Sequence, residues 1–151
     1  MQIDSTLSMA AQARAFLEAF ETLDNSMFQI SEVGGMRFRL PVPDRIPIIV
    51  PAVTCIAFAA EIAIKTLIVQ AAAGNIAACP RDHDLFRLFA RLPATTRAAI
   101  ASALPAISVE EKLRVNAGAF ERWRYSYESE AHADEVFLRE FVRATLAQVR
   151  I

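Results

Sequence analysis

Apolar side chains recur at helical spacing over residues 7–23, where Phe16, Phe20 and Leu23 continue a stripe set among polar positions, and this predicts a first helix. Asp24 and Asn25 close it. The period then drops to two. Phe28 and Ile30 alternate with Gln29 and Ser31, and Met36, Phe38 and Leu40 alternate with Arg37 and Arg39. That pattern predicts two strands meeting at Gly34-Gly35, a pair that readily supplies the positive φ angles of a two-residue hairpin turn. A hairpin alone is marginal in water, so it is expected to lie against the helices, with Arg37 and Arg39 on its polar face.

Residues 41–51 hold four of the seven prolines and predict an extended linker. A long, almost wholly apolar helix follows from near Pro51, an allowed first-turn residue, to a stop at Gly74-Asn75. Asp82 or His83 then precedes a short helix in which Leu85, Leu88, Phe89 and Leu92 share a face, and Pro93 ends it. A further helix over residues 95–104 stops at Pro105. Ser108 and Glu111 have the spacing of a capping box opening the next, which runs toward Glu128 with a break at residues 116–118. Residues 134–149 form the last helix, acids first and arginines last. The expected fold is mainly α: an up-and-down bundle of five to six helices with a short β-hairpin near residues 28–40. One domain spans residues 1–151, with the first helix, hairpin and linker in 1–50 and the main bundle in 51–151.

The length, 151 residues, suits one core. At 54% hydrophobic and 22% charged, with four glycines, the chain is neither disordered nor collagen-like. Its net charge of -1 provides no uniform positive field for nucleic acid or anionic lipid, so binding to either needs a local patch. Residues 46–73 are long enough to span a bilayer. Glu61 and Lys65 fall inside that stretch, each costing about 2.5 to 3.5 kcal/mol near a bilayer centre, and Pro47 and Pro51 interrupt its start. A buried central helix is expected instead, with no membrane contact. Asp4 precedes any Lys or Arg and no uninterrupted apolar run follows, so no secretory leader is read and the cytoplasm is expected. Cys55 and Cys79 sit in apolar stretches and are expected to be reduced and buried.

No phosphate-binding loop, dinucleotide fingerprint, zinc-protease motif, nucleophile elbow or Cys/His cluster is present, and no metal or cofactor is expected. Chemistry must rest on subtler groups. Phe120 to Glu128 (FERWRYSYE) gathers the only Trp, both Tyr and two Arg. The stripe serves as core, with Arg124 paired to Glu128 or Glu61; alternatively Arg122 or Arg124 holds a phosphate while an aromatic ring stacks on a base. His83 is a candidate acid–base group, although its place beside Asp82 and Asp84 suggests helix capping. His132 lies in a polar stretch and reads as a solvated residue. Glu61 and Lys65, four apart in an apolar helix, each need a partner, and Arg124 is the natural one for Glu61.

Three separated pieces, AFAAEIAIKTLI at 57–68, HDLFRLFARLP at 83–93 and FERWRYSYE at 120–128, resemble in order, spacing and residue type the HEPN domains, a small all-helical family named for nucleotide binding in higher eukaryotes and prokaryotes. The resemblance covers roughly residues 50–130. It implies a helical bundle, often a homodimer. Many members are metal-independent ribonucleases of toxin–antitoxin or phage-defence systems; others bind nucleotides or are non-catalytic. A cognate antitoxin-like protein is a further implied partner. Active members carry an Arg, four to six intervening residues and a His. Here seven residues separate Arg124 from His132, and nine separate Arg122 from it. The resemblance therefore implies an RNA- or nucleotide-binding module with a degenerate motif. Arg122, Arg124, Tyr125, Tyr127 and Glu128 form its binding stretch, and Glu61 and Lys65 are polar neighbours of Arg124. The alternatives are a ribonuclease using Arg124 with His132 or His83, and a purely structural or partner-binding helical protein.

Overall fold

Alanine decides how the first two helices meet. In the computed structural model, which describes residues 5–124 and 133–150, helix α1 (Ser5–Ser26) buries Ala10, Ala13 and Phe20. It packs mainly on α2 (Ile49–Ala71), whose Ala52, Ala57, Ala59, Ala60 and Ala63 are fully buried. Small side chains let the two backbones approach closely, and the larger Ile56, Ile64 and Leu67 fill the remaining space. Pro43–Ala71 is long and apolar enough to cross a membrane, but half of its most apolar window is buried inside the protein. Helices α1, α3, α6 and α7 surround α2. It is the hub of the bundle.

The remaining helices are α3 (Leu85–Ala90), α4 (Ala94–Ala103), α5 (Val109–Val115), α6 (Ala119–Arg124) and α7 (Glu135–Leu146). Phe137 stacks on Phe141 at 5.6 Å between ring centres, and Phe89 meets Phe141 edge-on at 5.9 Å, joining α3 to α7 in the core. The fold is mainly helical with a small hairpin, as the patterning predicts. The break between α5 and α6 also falls where expected. There Asn116, fully buried, donates to the Lys112 carbonyl at 2.8 Å and accepts from the Asp134 N–H at 2.8 Å. The Leu85 N–H donates to the Ala117 carbonyl at 3.0 Å, so this one bend positions the starts of both α3 and α7.

Strands β1 (Phe28–Val33) and β2 (Met36–Pro41) pair antiparallel, from Phe28 opposite Pro41 to Val33 opposite Met36. Gly34 and Gly35 both take positive φ, as the predicted turn requires. The expectation that the hairpin lies against the helices is corrected. Phe28 and Ser31 are half-buried and every other strand residue is exposed. Among the described residues the hairpin is held at its base, by Phe28 packed on the core, by the Val42 N–H on the Met27 carbonyl (2.8 Å) and by Arg39, which bridges to Asp24 at 2.6 Å and lies over the Phe28 ring.

The extended linker is corrected too. Pro43–Ile48 forms a 3₁₀ turn, and α2 begins at Ile49, two residues before Pro51. Proline needs no N–H partner in a first turn, so Pro43 and Pro51 sit where a helix tolerates them. Ser108 takes the N-cap position of α5, but its hydroxyl makes no capping bond, unlike the expected box. Cys55 and Cys79 are unpaired and half-buried rather than fully buried, and burial pushes the Cys55 thiol up from its ordinary value.

Candidate functional site

An apolar helix that buries a carboxylate must neutralise it. Glu61, in the middle of α2 and 2% exposed, receives two donors on one oxygen: Lys65 Nζ approaches Oε1 at 2.7 Å and His83 Nδ1 at 3.0 Å. Its other oxygen, Oε2, is buried with no hydrogen bond among the described residues. Lys65 lies one helical turn on, itself buried. The expected pairing of Glu61 with Arg124 rests on a side chain outside the described residues; among the described ones Glu61 is met by these two partners. His83 reaches Glu61 from the loop before α3, because that loop crosses α2 at the level of Glu61.

Asp82 shapes the loop. Its Oδ1 accepts from the His83 N–H (2.8 Å), the Asp84 N–H (3.0 Å) and Arg87 Nη2 (2.8 Å). The Arg87 hydrogen bond, seconded by the Asp84 N–H, pulls the Asp82 carboxyl down to about 2, and the same pairing raises Arg87. Asp84 caps α3, accepting from the Arg87 N–H at 2.9 Å. The capping role expected for His83 therefore belongs to Asp84, the residue next to Leu85, and the imidazole is free to turn away from the helix.

The His83 ring is 48% exposed. Its centre lies 6.5 Å from that of Phe120 in α6, which stacks on Phe58 at 4.8 Å; Phe58 in turn meets Phe16 edge-on at 4.7 Å. This aromatic run joins α1, α2 and α6 behind the histidine. In front of it, His83 lines a pocket of about 240 Å³ together with Arg81, Asp82, Arg87, Gly118 and Glu121. Arg87 is committed to Asp82. Arg81 and Glu121 are exposed and make no hydrogen bond among the described residues. Among those residues no group of three or more His, Cys, Asp and Glu side chains is arranged to hold a metal ion.

A carboxylate accepts and does not donate, so the neutral imidazole carries its proton on Nδ1 and offers the Nε2 lone pair outward. When Nε2 takes a proton, the imidazolium stays beside the Glu61 charge. Lys65 supplies a countercharge to that carboxylate inside an apolar helix. The arrangement is an oriented base, able to accept a proton from a bound hydroxyl and return it.

No family model matches this chain, nor does any curated protein or solved structure. Of the sequence-predicted residues, the structure brings Glu61, Lys65 and His83 together. Arg122 is exposed and donates to the Val115 carbonyl at 3.2 Å, closing the C-terminal end of α5. Arg124 ends α6; its side chain, with Tyr125, Tyr127, Glu128 and His132, lies outside the described residues. Arg81, Asp82, Arg87 and Glu121 were not singled out as site residues. Asp82 and Asp84 flanking His83 are the signal that could have found them, since two acids before a helix compete for one cap and leave the other to order the loop.

Proposed function

We propose that this chain is a HEPN-like, cytoplasmic RNA- or nucleotide-binding protein whose acid–base group is His83, acting as a metal-independent ribonuclease. The observation that carries the reading is the half-exposed imidazole at the pocket, tied through Nδ1 to a carboxylate that is almost wholly buried. Nε2 takes the proton of a ribose 2′-hydroxyl, whose oxygen attacks the adjacent phosphorus. The bond to the 5′-oxygen breaks, and that oxygen takes the proton back from the imidazolium, leaving a 2′,3′-cyclic phosphate and a 5′-hydroxyl end. Arg81, uncommitted at the pocket rim, is the cation for the non-bridging oxygens. In this reading His83 supplies what the wide Arg124–His132 spacing withholds. The homodimer and the antitoxin-like partner remain implications of the resemblance.

A structural or partner-binding reading is favoured by one observation: the pocket's two arginines face three carboxylates, Asp82, Asp84 and Glu121, which leaves little net attraction for a phosphate chain. Cleavage of mixed fluorescent RNA in EDTA separates the two. His83→Ala is expected to lower the rate by about 10² to 10⁴, the usual worth of an acid–base group, and Glu61→Gln by less. Circular dichroism checks that each variant is folded. Loss of cleavage in Arg124→Ala and His132→Ala, with His83→Ala fully active, moves the chemistry to the α6 end. No cleavage by the folded wild type leaves binding, measured by titration with labelled RNA and mononucleotides against Arg81→Ala.

A further inference from the structure

Most polar groups that line the His83 pocket are already committed. Asp82 accepts from two loop N–H groups and from Arg87, and Asp84 caps α3. Three groups are not: the outward Nε2 of His83, the guanidinium of Arg81 and the carboxylate of Glu121, which is exposed and makes no hydrogen bond among the described residues. Ribonuclease chemistry absorbs the first two, as the base and as the cation for the phosphate. Glu121 is left over. It stands in the first turn of α6, where the Ala119 N–H on the Asn116 carbonyl (3.0 Å) fixes the start of the helix, so the bend that positions α3 also sets this carboxylate at the pocket. A carboxylate repels a phosphate, and a pocket that takes RNA has to turn it toward another part of the nucleotide.

We propose that Glu121 reads the base, and that the base is guanine. The inference rests on the ribonuclease reading for where the sugar and phosphate lie. An ionised carboxylate only accepts, through two oxygens side by side. Single-stranded RNA leaves its base edges unpaired. Guanine alone presents two adjacent donors there, N1–H and the N2 amino group, and these match the two oxygens in a parallel pair of charge-assisted hydrogen bonds. Adenine and cytosine each set one amino group beside an acceptor nitrogen, and uracil flanks its single N–H with two carbonyls, so each of them brings an acceptor against an acceptor. Glu121 and His83 line one cavity of about 240 Å³, which makes the base that is read part of the nucleotide whose 2′-hydroxyl attacks. Cleavage then falls on the 3′ side of guanosine. The excess of acid in the pocket, unfavourable for a phosphate chain, suits a base edge made of donors.

Titration of the full chain with the 3′-monophosphates of guanosine, inosine, adenosine, cytidine and uridine tests this, beside cleavage in EDTA of oligonucleotides that differ only in the base 5′ to the scissile phosphate. Guanosine monophosphate is expected to bind at least about ten-fold more tightly than adenosine monophosphate. Inosine monophosphate, which lacks only the N2 amino group, is expected to fall between them, and Glu121→Ala, folded by circular dichroism, is expected to erase the difference between guanosine and inosine. A first-turn acid also complements the dipole of its helix, but loss of that role lowers stability without moving the base ratio. A folded wild type that cleaves RNA yet treats all bases alike overturns guanine recognition and leaves the ribonuclease reading standing. Selective guanosine binding with no cleavage supports the role of Glu121 and overturns the ribonuclease instead. A guanine preference that survives Glu121→Ala overturns the assignment to this residue, and a wild type that neither binds nor cleaves overturns both readings.

Discussion

At the scale of single residues, the Glu61 carboxylate is a buried charge that is costly unless paired. Its two donors share one oxygen, so removing the carboxylate strands the buried Lys65 ammonium and frees His83. Glu61→Ala is expected to cost about 3 kcal/mol in urea denaturation, Lys65→Met less, because His83 still answers the carboxylate. The double variant Glu61→Leu with Lys65→Met is expected to recover most of the loss, since apolar replacement of a buried pair is often neutral. Long-range nitrogen–proton NMR is expected to find the neutral His83 proton on Nδ1, and a mixed tautomer in Glu61→Ala. Asp82 adds a pH dependence. Its folded carboxyl lies near 2 against an ordinary 3.8, so it contributes stability above the upper value, and that contribution is lost as pH falls through the lower. Thermal unfolding from pH 5 to pH 2 is expected to show this loss in the wild type and not in Asp82→Asn. The sequence marks Glu61 and Lys65 as needing partners, because charge in an apolar helix is expensive. It does not name His83, which stands twenty-two residues away on a loop. Charge pairing pointed to Arg124, whose side chain lies outside the described residues, and only tertiary structure brings the His83 loop across.

At the scale of elements, the close α1–α2 contact rests on residues too small to fill space. Ala13 is fully buried in α1, the helix that packs chiefly on α2. Ala13→Leu is expected to destabilise by about 1 to 3 kcal/mol through overpacking, read as a lower urea midpoint at unchanged slope. Periodicity read these helices well: the first helix, the central helix, the hairpin with its Gly34-Gly35 turn and the break after Asn116 all follow from spacing. It failed where two local rules compete. The prolines at 43 and 47 exclude a regular helix but not a 3₁₀ turn, and the Ser108 spacing places a cap without bending its hydroxyl onto the next turn. The hairpin's alternation gave each strand an apolar side but not the register, which sets Phe28 and Ile30 with Arg37 and Arg39 on one face and Met36, Phe38 and Leu40 with Gln29 and Ser31 on the uncharged face. It carried no information on whether that face is covered within the chain, since period two reports that a face is covered and not by what.

At the scale of the whole molecule, one helix organises everything else. Helix α2 touches α1, α3, α6 and α7, and it carries the carboxylate that orients His83, so core and candidate site share a single element. The pocket depends on the bend at residues 116–118 as well, since Leu85 hangs from the Ala117 carbonyl and Gly118 lines the cavity. Variation at that bend reaches His83 without touching it.

The hub helix also has a consequence for how the protein is made. During synthesis α2 leaves the ribosome as a nearly uninterrupted apolar segment, of a length the membrane-insertion machinery accepts. Two features of the chain oppose that fate. Glu61 and Lys65 sit near its middle, a combined penalty of about 5 to 7 kcal/mol for entering lipid. Helix α1, its principal neighbour, is translated first and is already available to cover it. The ion pair beside the histidine in the finished protein thus also raises the cost of placing this helix in lipid.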